Sequence, residues 1–187
     1  SAMSAIWIIL AIVVLAGLWA VFTFNGLVRR KTVTAEAWSG IEAQLKRRAD
    51  LILNLVESVK GYATHEQATF DELAKWRSQV QAQVDPVQRA QTEQAITAAI
   101  GKIMAVAEAY PQLRATENFQ MLQKDLADIE DQIQLARRYY NGAVRDYNVM
   151  IQQFPSNLVA GFGNFTPAQF FEIENAADRA VPKVSFA

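Results

Sequence analysis

The sequence predicts an all-α protein with an N-terminal transmembrane helix, an antiparallel bundle of long helices and an extended C-terminal tail. Three observations predict this class. Residues 6–24 carry no charge. Beyond them, apolar residues recur at steps of three and four, which is the period of an α-helix. Proline and glycine separate these helical runs, and the alternation typical of β-strands is absent before the tail.

The uncharged run "IWIILAIVVLAGLWAVFTF" has the length of a membrane span. At the rise of an α-helix it covers about 28 Å, close to the hydrocarbon thickness of a bilayer. We assign residues 1–5 to a short N-terminus, in which Ser1 and Ala2 resemble a cloning scar, and residues 6–28 to a transmembrane helix. A buried core helix would show a polar face, and a signal peptide would carry positive charge before the run. This run shows neither feature, which favours a membrane span.

Basic residues follow the apolar run instead of preceding it. From Arg29 to Lys60 the chain has seven basic and four acidic residues. By the positive-inside rule, the N-terminus lies outside and the remainder lies in the cytoplasm. We call Arg29, Arg30 and Lys31 the basic collar. It is a candidate contact for anionic membrane lipid, at about 1 kcal/mol per residue, with a plain topology signal as the alternative.

Residues 29–155 are predicted to form the helical bundle. Its first helix begins near Thr34 or continues from the membrane helix through Gly26, and it ends at Gly61. Further boundaries are expected at Pro86 and before Pro111, because proline disfavours helix at the preceding residue. In the "KRR" stretch at residues 46–48 we expect one basic side chain to lay its stem along the bundle, with a lipid or partner surface as the functional alternative.

The last helical run is the longest, from Phe119 to Phe154. Its roughly 36 residues give a rod on the order of 54 Å, which suits a bundle or a coiled coil. Pro155 ends it, and residues 156–187 are predicted to form an aromatic, extended tail that caps its own bundle or docks onto a subunit, a partner or the membrane. The candidate interaction residues in this part are Phe154, Phe162, Phe165, Phe170, Phe171, Val184 and Phe186.

Composition excludes several classes of site. A net charge of −1 provides no basic field for nucleic acid, and the absence of cysteine excludes disulfides and thiolate chemistry. The only histidine, His65, lies in "HEQAT", which lacks the second histidine of a zinc protease motif. The acidic residues 125–131 are interpreted as a solvated face, and Tyr139, Tyr140, Tyr147 and Phe154 as core packing. We expect no cofactor and no metal.

Three stretches together resemble the LemA family of bacterial membrane proteins. They are "EAWSGIEAQLKRRADLILNLVESVKGYATHEQATF", "AYPQLRATENFQMLQ" and "ARRYYNGAVRDYNVMIQQFPSNLVA", the last followed by "FFE". Relatives carry a contiguous Phe-Gly-Phe where Asn164 here interrupts "FGNF". The resemblance implies one N-terminal membrane helix in the bacterial inner membrane, a helical bundle in the cytoplasm and no catalytic residues. It also points to membrane organisation.

Three functional hypotheses follow. The first is a non-enzymatic, membrane-anchored bundle that forms a homo-oligomer and acts as a scaffold or membrane organiser. The second is an adaptor, monomeric or a small oligomer, that binds a partner membrane protein such as a protease or transporter. The third is a hydrolase that uses carboxylates near His65. Pull-down with one stoichiometric partner would favour the adaptor over the scaffold.

Overall fold

The fold is all-α, as predicted. The computed structural model describes residues 2–63, 67–80 and 85–172. Within these ranges no residue is in a β-strand. The helices are α1 (Ala2–Lys60), α2 (Gln67–Val80), α3 (Pro86–Glu108), α4 (Pro111–Arg114), α5 (Glu117–Gln152) and α6 (Ser156–Phe162). The described residues form two compact units, the first of residues 2–41 and 138–169, the second of residues 42–137 and 170–172.

Helix α1 is continuous from the apolar run into the bundle. Of the two starts left open by the sequence, the structure therefore shows continuation through Gly26. A Cβ atom on Gly26 would lie 3.0 Å from Cε of Met150, so glycine allows α5 to approach α1 closely here. The helix contains an 18-residue window of mean hydropathy 2.8, of which none is buried. By length and composition it could cross a membrane.

The other helix boundaries follow local chemistry. Helix α1 ends one residue before Gly61. Helix α3 begins at Pro86, and the carboxylate of its N-cap, Asp85, accepts a hydrogen bond of 3.1 Å from the backbone N–H of Val87. Helix α5 ends at Gln152, ahead of Pro155. Proline, glycine and capping residues in the sequence therefore predict these helix ends to within two or three residues.

In the first unit, α1 and α5 run antiparallel. The rings of Trp38 and Tyr140 lie 5.3 Å apart, and Met150 packs beside Gly26. The core here centres on Leu27, Tyr147 and Ala160. Partly buried apolar residues of α5, α6 and the segment after α6 pack against it: Met150, Ile151, Val159, Phe165 and Ala168.

Helix α6 differs from the expected extended tail. Ser156 and Asn157 favour a turn, yet Ser156–Phe162 is helical. The hydroxyl of Ser156 donates to the carbonyl of Met150 at 2.6 Å, which ties the start of α6 to the end of α5. Val159 and Ala160 then pack on the Leu27 core. Tertiary packing thus stabilises a helix too short to form alone.

The second unit is a helical bundle in which α1 and α5 are again antiparallel. Arg48 of α1 meets Glu130 of α5, and Asn118 of α5 donates to Ser58 of α1 at 3.3 Å. Its buried apolar side chains include most of the predicted stripes: Leu45, Ile52, Leu55, Val59, Phe70, Leu73, Ile96, Ile103, Leu122, Leu126, Ile129 and Ile133.

Two residues depart from the predicted apolar stripes. Val87 begins the apolar three-four run that continues through Ala90 and Ile96, which predicts a buried position, yet it is exposed in the first turn of α3. Phe154 lies beyond the last residue of α5 and is 80% exposed. Both lie at helix ends, where the backbone leaves the helical path and the three-four spacing no longer defines a face. Tyr139, also interpreted as packing, is exposed as well.

Candidate functional site

The basic collar is exposed on α1. A groove of about 490 Å³ between α1 and α5 adjoins it in the first unit. Trp19 and Phe22 line the groove, together with Arg29 and Arg30. The groove therefore combines an apolar part, within the uncharged run, with two guanidinium groups and the carboxylate of Asp146.

The segment after α6, residues 163–169, folds back onto α5; we call it the C-terminal segment. The side-chain amide of Asn148 donates to the carbonyl of Ala168 at 3.0 Å and accepts from its N–H at 2.8 Å. The Tyr140 hydroxyl donates to the carbonyl of Gln169 at 2.7 Å. Burial raises the pKa of Tyr140 above its usual value of 10.0. These bonds satisfy both backbone groups of Ala168 and the carbonyl of Gln169 without any charged group.

Phe165 is the apolar contact of this segment. Its ring lies 5.5 Å from that of Phe24, edge to face, and Nζ of Lys31 lies 5.9 Å from its centroid. The preceding Asn164 has φ 54°, a left-handed conformation that asparagine tolerates better than most residues. The departure from the contiguous Phe-Gly-Phe of relatives is thus compatible with the turn. Of the two fates predicted for the tail, this segment shows the first, since it packs on its own chain.

Three large apolar side chains near α6 instead point away from the core. Phe162 is 94% exposed, Phe154 80% and Leu158 54%. Leu158 and Phe162 are one helical turn apart on α6, on the side opposite Ala160, which is buried. We call Phe154, Leu158 and Phe162 the outer apolar face.

The remaining candidate residues lie elsewhere. Phe170 and Phe171 belong to the second unit, where Phe170 is at the edge of exposure and Phe171 is completely buried. Phe171 therefore contributes to the core of its own chain. Val184 and Phe186 lie outside the described residues, as does His65.

A buried ion cluster occupies the second unit. The side chain of Arg48 is 1% exposed and joins three helices. Its guanidinium pairs with the Glu93 carboxylate of α3, donates to Glu130 of α5 at 2.6 Å and donates to the Thr97 hydroxyl at 3.0 Å. Nε of Arg89 contacts Glu93 at 3.1 Å. Arg48 is thus the basic residue of the "KRR" stretch whose stem lies along the bundle, and its guanidinium is buried as well.

Its neighbours in the "KRR" stretch, Lys46 and Arg47, are exposed. A cavity of about 400 Å³ adjoins the cluster, lined by Arg48, Arg77 and apolar residues that include Ile52. Of the acidic residues in α5, Glu130 belongs to the cluster, whereas Asp125, Asp128 and Asp131 are exposed as predicted. Over residues 2–63, 67–80 and 85–172, no group of three or more acidic or histidine side chains is arranged to hold a metal ion.

Sequence reasoning missed both the Asn148 contact and the Arg48 cluster. The Asn148 contact has a signal in the sequence, because the chain has no Asp, Glu, Lys or Arg from Tyr147 to Phe171. An uncharged stretch of that length indicates a buried or lipid-facing segment. The Arg48 cluster has no such signal, since its partners lie on other helices far along the chain.

Comparison with known proteins identifies the family. The LemA family pattern matches residues 37–186. Protein LemA of Metamycoplasma hominis is 28% identical over 137 residues, which are 73% of this chain and 63% of that protein. Magnetosome protein MamQ 2 of Paramagnetospirillum magneticum is 32% identical over 83 residues, or 44% of this chain and 30% of that protein. Magnetosome protein MamQ of Magnetospirillum gryphiswaldense is 29% identical over 83 residues, which are again 44% of this chain and 30% of that protein. The chain thus spans less than two thirds of these relatives, and it belongs to the LemA family.

Proposed function

We propose that this protein is a non-enzymatic, membrane-anchored helical protein that self-associates and acts as a scaffold or organiser at the inner face of a bacterial membrane. Family membership and the similarity to proteins named magnetosome proteins support a membrane-associated helical protein. The apolar, unburied N-terminal part of α1 supports the anchor.

The observation that carries self-association is an unpartnered face of α5 in the first unit. Tyr139 is 63% exposed, and Val149 is exposed on the same face, with Gly142 between them. Steps of three and four through the exposed Asp146 join these positions, with the spacing of a coiled-coil contact seam that includes one charged position. A small residue between two large ones lets a second helix approach closely. We call Tyr139, Gly142 and Val149 the α5 seam, and its occupant is a second copy of this chain.

Membrane anchoring strengthens such a contact. Copies held by one transmembrane helix share an orientation and are confined to a plane, which raises their effective concentration. A seam of modest area can then maintain an assembly that would dissociate in dilute solution. The basic collar adds contact with anionic lipid headgroups, because its side chains are exposed beside the uncharged run.

The test is the mass of the full-length protein in nanodiscs and in mild detergent. We expect a defined oligomer for the wild type and a monomer for Tyr139→Ser/Val149→Ser. Met121→Ser is the matched control, because it also removes an exposed large apolar side chain from α5. Circular dichroism should show the same helix content in all three proteins.

A wild-type protein that is monomeric in both environments would contradict the scaffold. The adaptor that binds a partner membrane protein would then lead, and cross-linking in native membranes followed by isolation of a stoichiometric partner would be its test. An oligomer that persists in the double variant would place self-association on another surface.

A further inference from the structure

The outer apolar face has no partner among the residues packed around it, and its position on the chain indicates what covers it. We propose that Phe154, Leu158 and Phe162 insert into the lipid bilayer beside α1 and form a second, non-spanning membrane contact. This inference rests on the proposed membrane anchor but not on self-association. Its occupant is the apolar edge of a lipid bilayer.

The first argument is depth. The C-terminal end of α6 lies against the end of the membrane run, because a Cβ on Gly163 would lie 3.2 Å from Cε2 of Phe24. At the other end, Phe154 lines a groove together with Trp19 and Thr23 of the run and with the charged residues Arg30, Arg145 and Asp146. Phe24 precedes the first charge of the collar by five residues, about 8 Å along a helix. The C-terminal end of α6 therefore lies on the hydrocarbon side of the collar, and its N-terminal end lies where the uncharged run meets the charged residues.

The second argument is composition. The uncharged stretch from Tyr147 to Phe171 packs against the other long uncharged stretch, residues 1–28, through Leu27 and Phe24. A water-facing loop and short helix of this length would ordinarily carry charge. Here charge returns only at its two ends, with Asp146 and Glu172. This is the pattern expected if the stretch enters and leaves the bilayer edge.

The third argument is backbone hydrogen bonding. A segment in lipid must satisfy its own N–H and C=O groups, because no water is there to do so. The turn after α6 meets this demand, since the N–H groups of Gly163, Asn164 and Phe165 donate to carbonyls of α6 at 3.0, 3.3 and 3.0 Å. At the start of α6, the N–H of Leu158 donates to Pro155 at 3.1 Å.

The fourth argument is the position of Lys31. Lys31 lies over the ring of Phe165, with its ammonium group on the collar side of the uncharged run. A lysine at this position can extend its amine to the headgroups while its stem covers apolar surface. The arrangement is one in which the rings lie at the hydrocarbon edge and the charges lie at the phosphate level.

The test uses the absence of native cysteine, which makes single-cysteine variants unambiguous. Nitroxide labels are placed on the full-length protein at Phe162→Cys, at Phe22→Cys in the membrane run and at Gly40→Cys. Gly40 is exposed on α1, and an added Cβ there meets no atom within 4 Å. Accessibility to oxygen and to a water-soluble nickel chelate is then measured by electron paramagnetic resonance in nanodiscs that contain one copy.

We expect the label at 162 to resemble that at 22, with oxygen access exceeding nickel access several-fold, and the label at 40 to show the reverse. A label at 162 that resembles the one at 40 overturns the inference. Protection from both reagents would also overturn it, because the face would then be buried in protein. Since the label at 22 reports on the anchor alone, failure of the anchor and failure of the second contact are distinguishable.

Discussion

The two units use the same pair of long helices, α1 and α5, but hold them together with different chemistry. In the second unit a buried guanidinium joins three helices through two carboxylates. In the described part of the first unit, the buried side chains carry no charge. There α1 meets α5 through aromatic and apolar side chains, such as Trp38 against Tyr140. The amide of Asn148 and the hydroxyl of Tyr140 make neutral hydrogen bonds that join α5 to the C-terminal segment.

The difference shows how surroundings select the polar groups that a unit buries. Buried ions need complete pairing because each costs several kcal/mol to desolvate. Neutral amides and hydroxyls carry a smaller penalty and tolerate an apolar environment once their bonds are made. A unit that begins in an uncharged helix of membrane length would be expected to use the neutral groups, and this one does.

The largest effect is expected from a substitution in the buried ion cluster of the second unit. Arg48→Met leaves Glu93 buried without its main partner, and we expect a loss of about 3–5 kcal/mol in the free energy of unfolding. Denaturant unfolding followed by circular dichroism in detergent measures it. Lys46→Met, at an exposed position two residues away, should change stability by no more than about 0.5 kcal/mol. Equal effects at the two positions would contradict the role of the cluster.

The neutral unit should respond more locally. Asn148→Leu removes both hydrogen bonds to Ala168, and leaving that backbone unsatisfied costs about 2 kcal/mol. Hydrogen exchange at the Ala168 amide should accelerate about thirtyfold, with little change in the second unit. Gln152→Leu, at an exposed site on the same helix, is the control. Unchanged exchange in Asn148→Leu would mean that other contacts hold the segment.

A smaller effect tests the turn that brings Phe165 to Phe24. A β-branched residue disfavours the left-handed conformation of Asn164, so Asn164→Val should cost about 1–2 kcal/mol. Asn164→Gly should be neutral or slightly favourable, because glycine adopts this conformation freely. The Phe165 amide donates to the carbonyl of Ala160 at 3.0 Å, so the rate of its hydrogen exchange distinguishes the two variants. Equal exchange in both variants would show that backbone conformation does not limit this turn.

The smallest effect is a pH dependence confined to the first unit. Because burial raises the pKa of Tyr140, its contribution to stability is fully present below about pH 10 and is lost as pH rises through the folded pKa. Tyr140→Phe should lower stability slightly at neutral pH and flatten its decline in the alkaline range. Burial also raises the pKa of Tyr147, which contributes to the same decline. An identical alkaline decline in wild type and variant would exclude Tyr140 as its source.

Local chemistry made much of this fold predictable. The end of α5 before Pro155, the capped start of α3 at Asp85 and the apolar stripe from Phe119 to Tyr147 all follow from neighbouring residues. The family follows from whole motifs. The helical state of residues 156–162 does not, because it depends on packing of Ala160 against Leu27, which is distant in sequence.

The candidate site was predicted only in part. Exposure of the collar, Phe154 and Phe162 agrees with their selection as candidate contacts, but Phe171 and most of Phe165 are covered by their own chain. A phenylalanine in an irregular segment gives no periodic pattern, so its burial cannot be read from spacing. The same limit applies to Arg48, because a run of three basic residues does not reveal which one faces Glu93.

The position of Leu27 and Phe24 has a practical consequence for anyone who produces this protein without its anchor. A truncated version that starts after residue 28, the end of the predicted transmembrane helix, would lack the residues on which Tyr147, Ala160 and Phe165 pack. Recombinant fragments of that kind would expose an apolar surface that is covered in the intact chain. Their oligomeric state would then report an artefact of truncation, so a fragment without the apolar run should also omit Arg138–Gln169 and keep to the second unit.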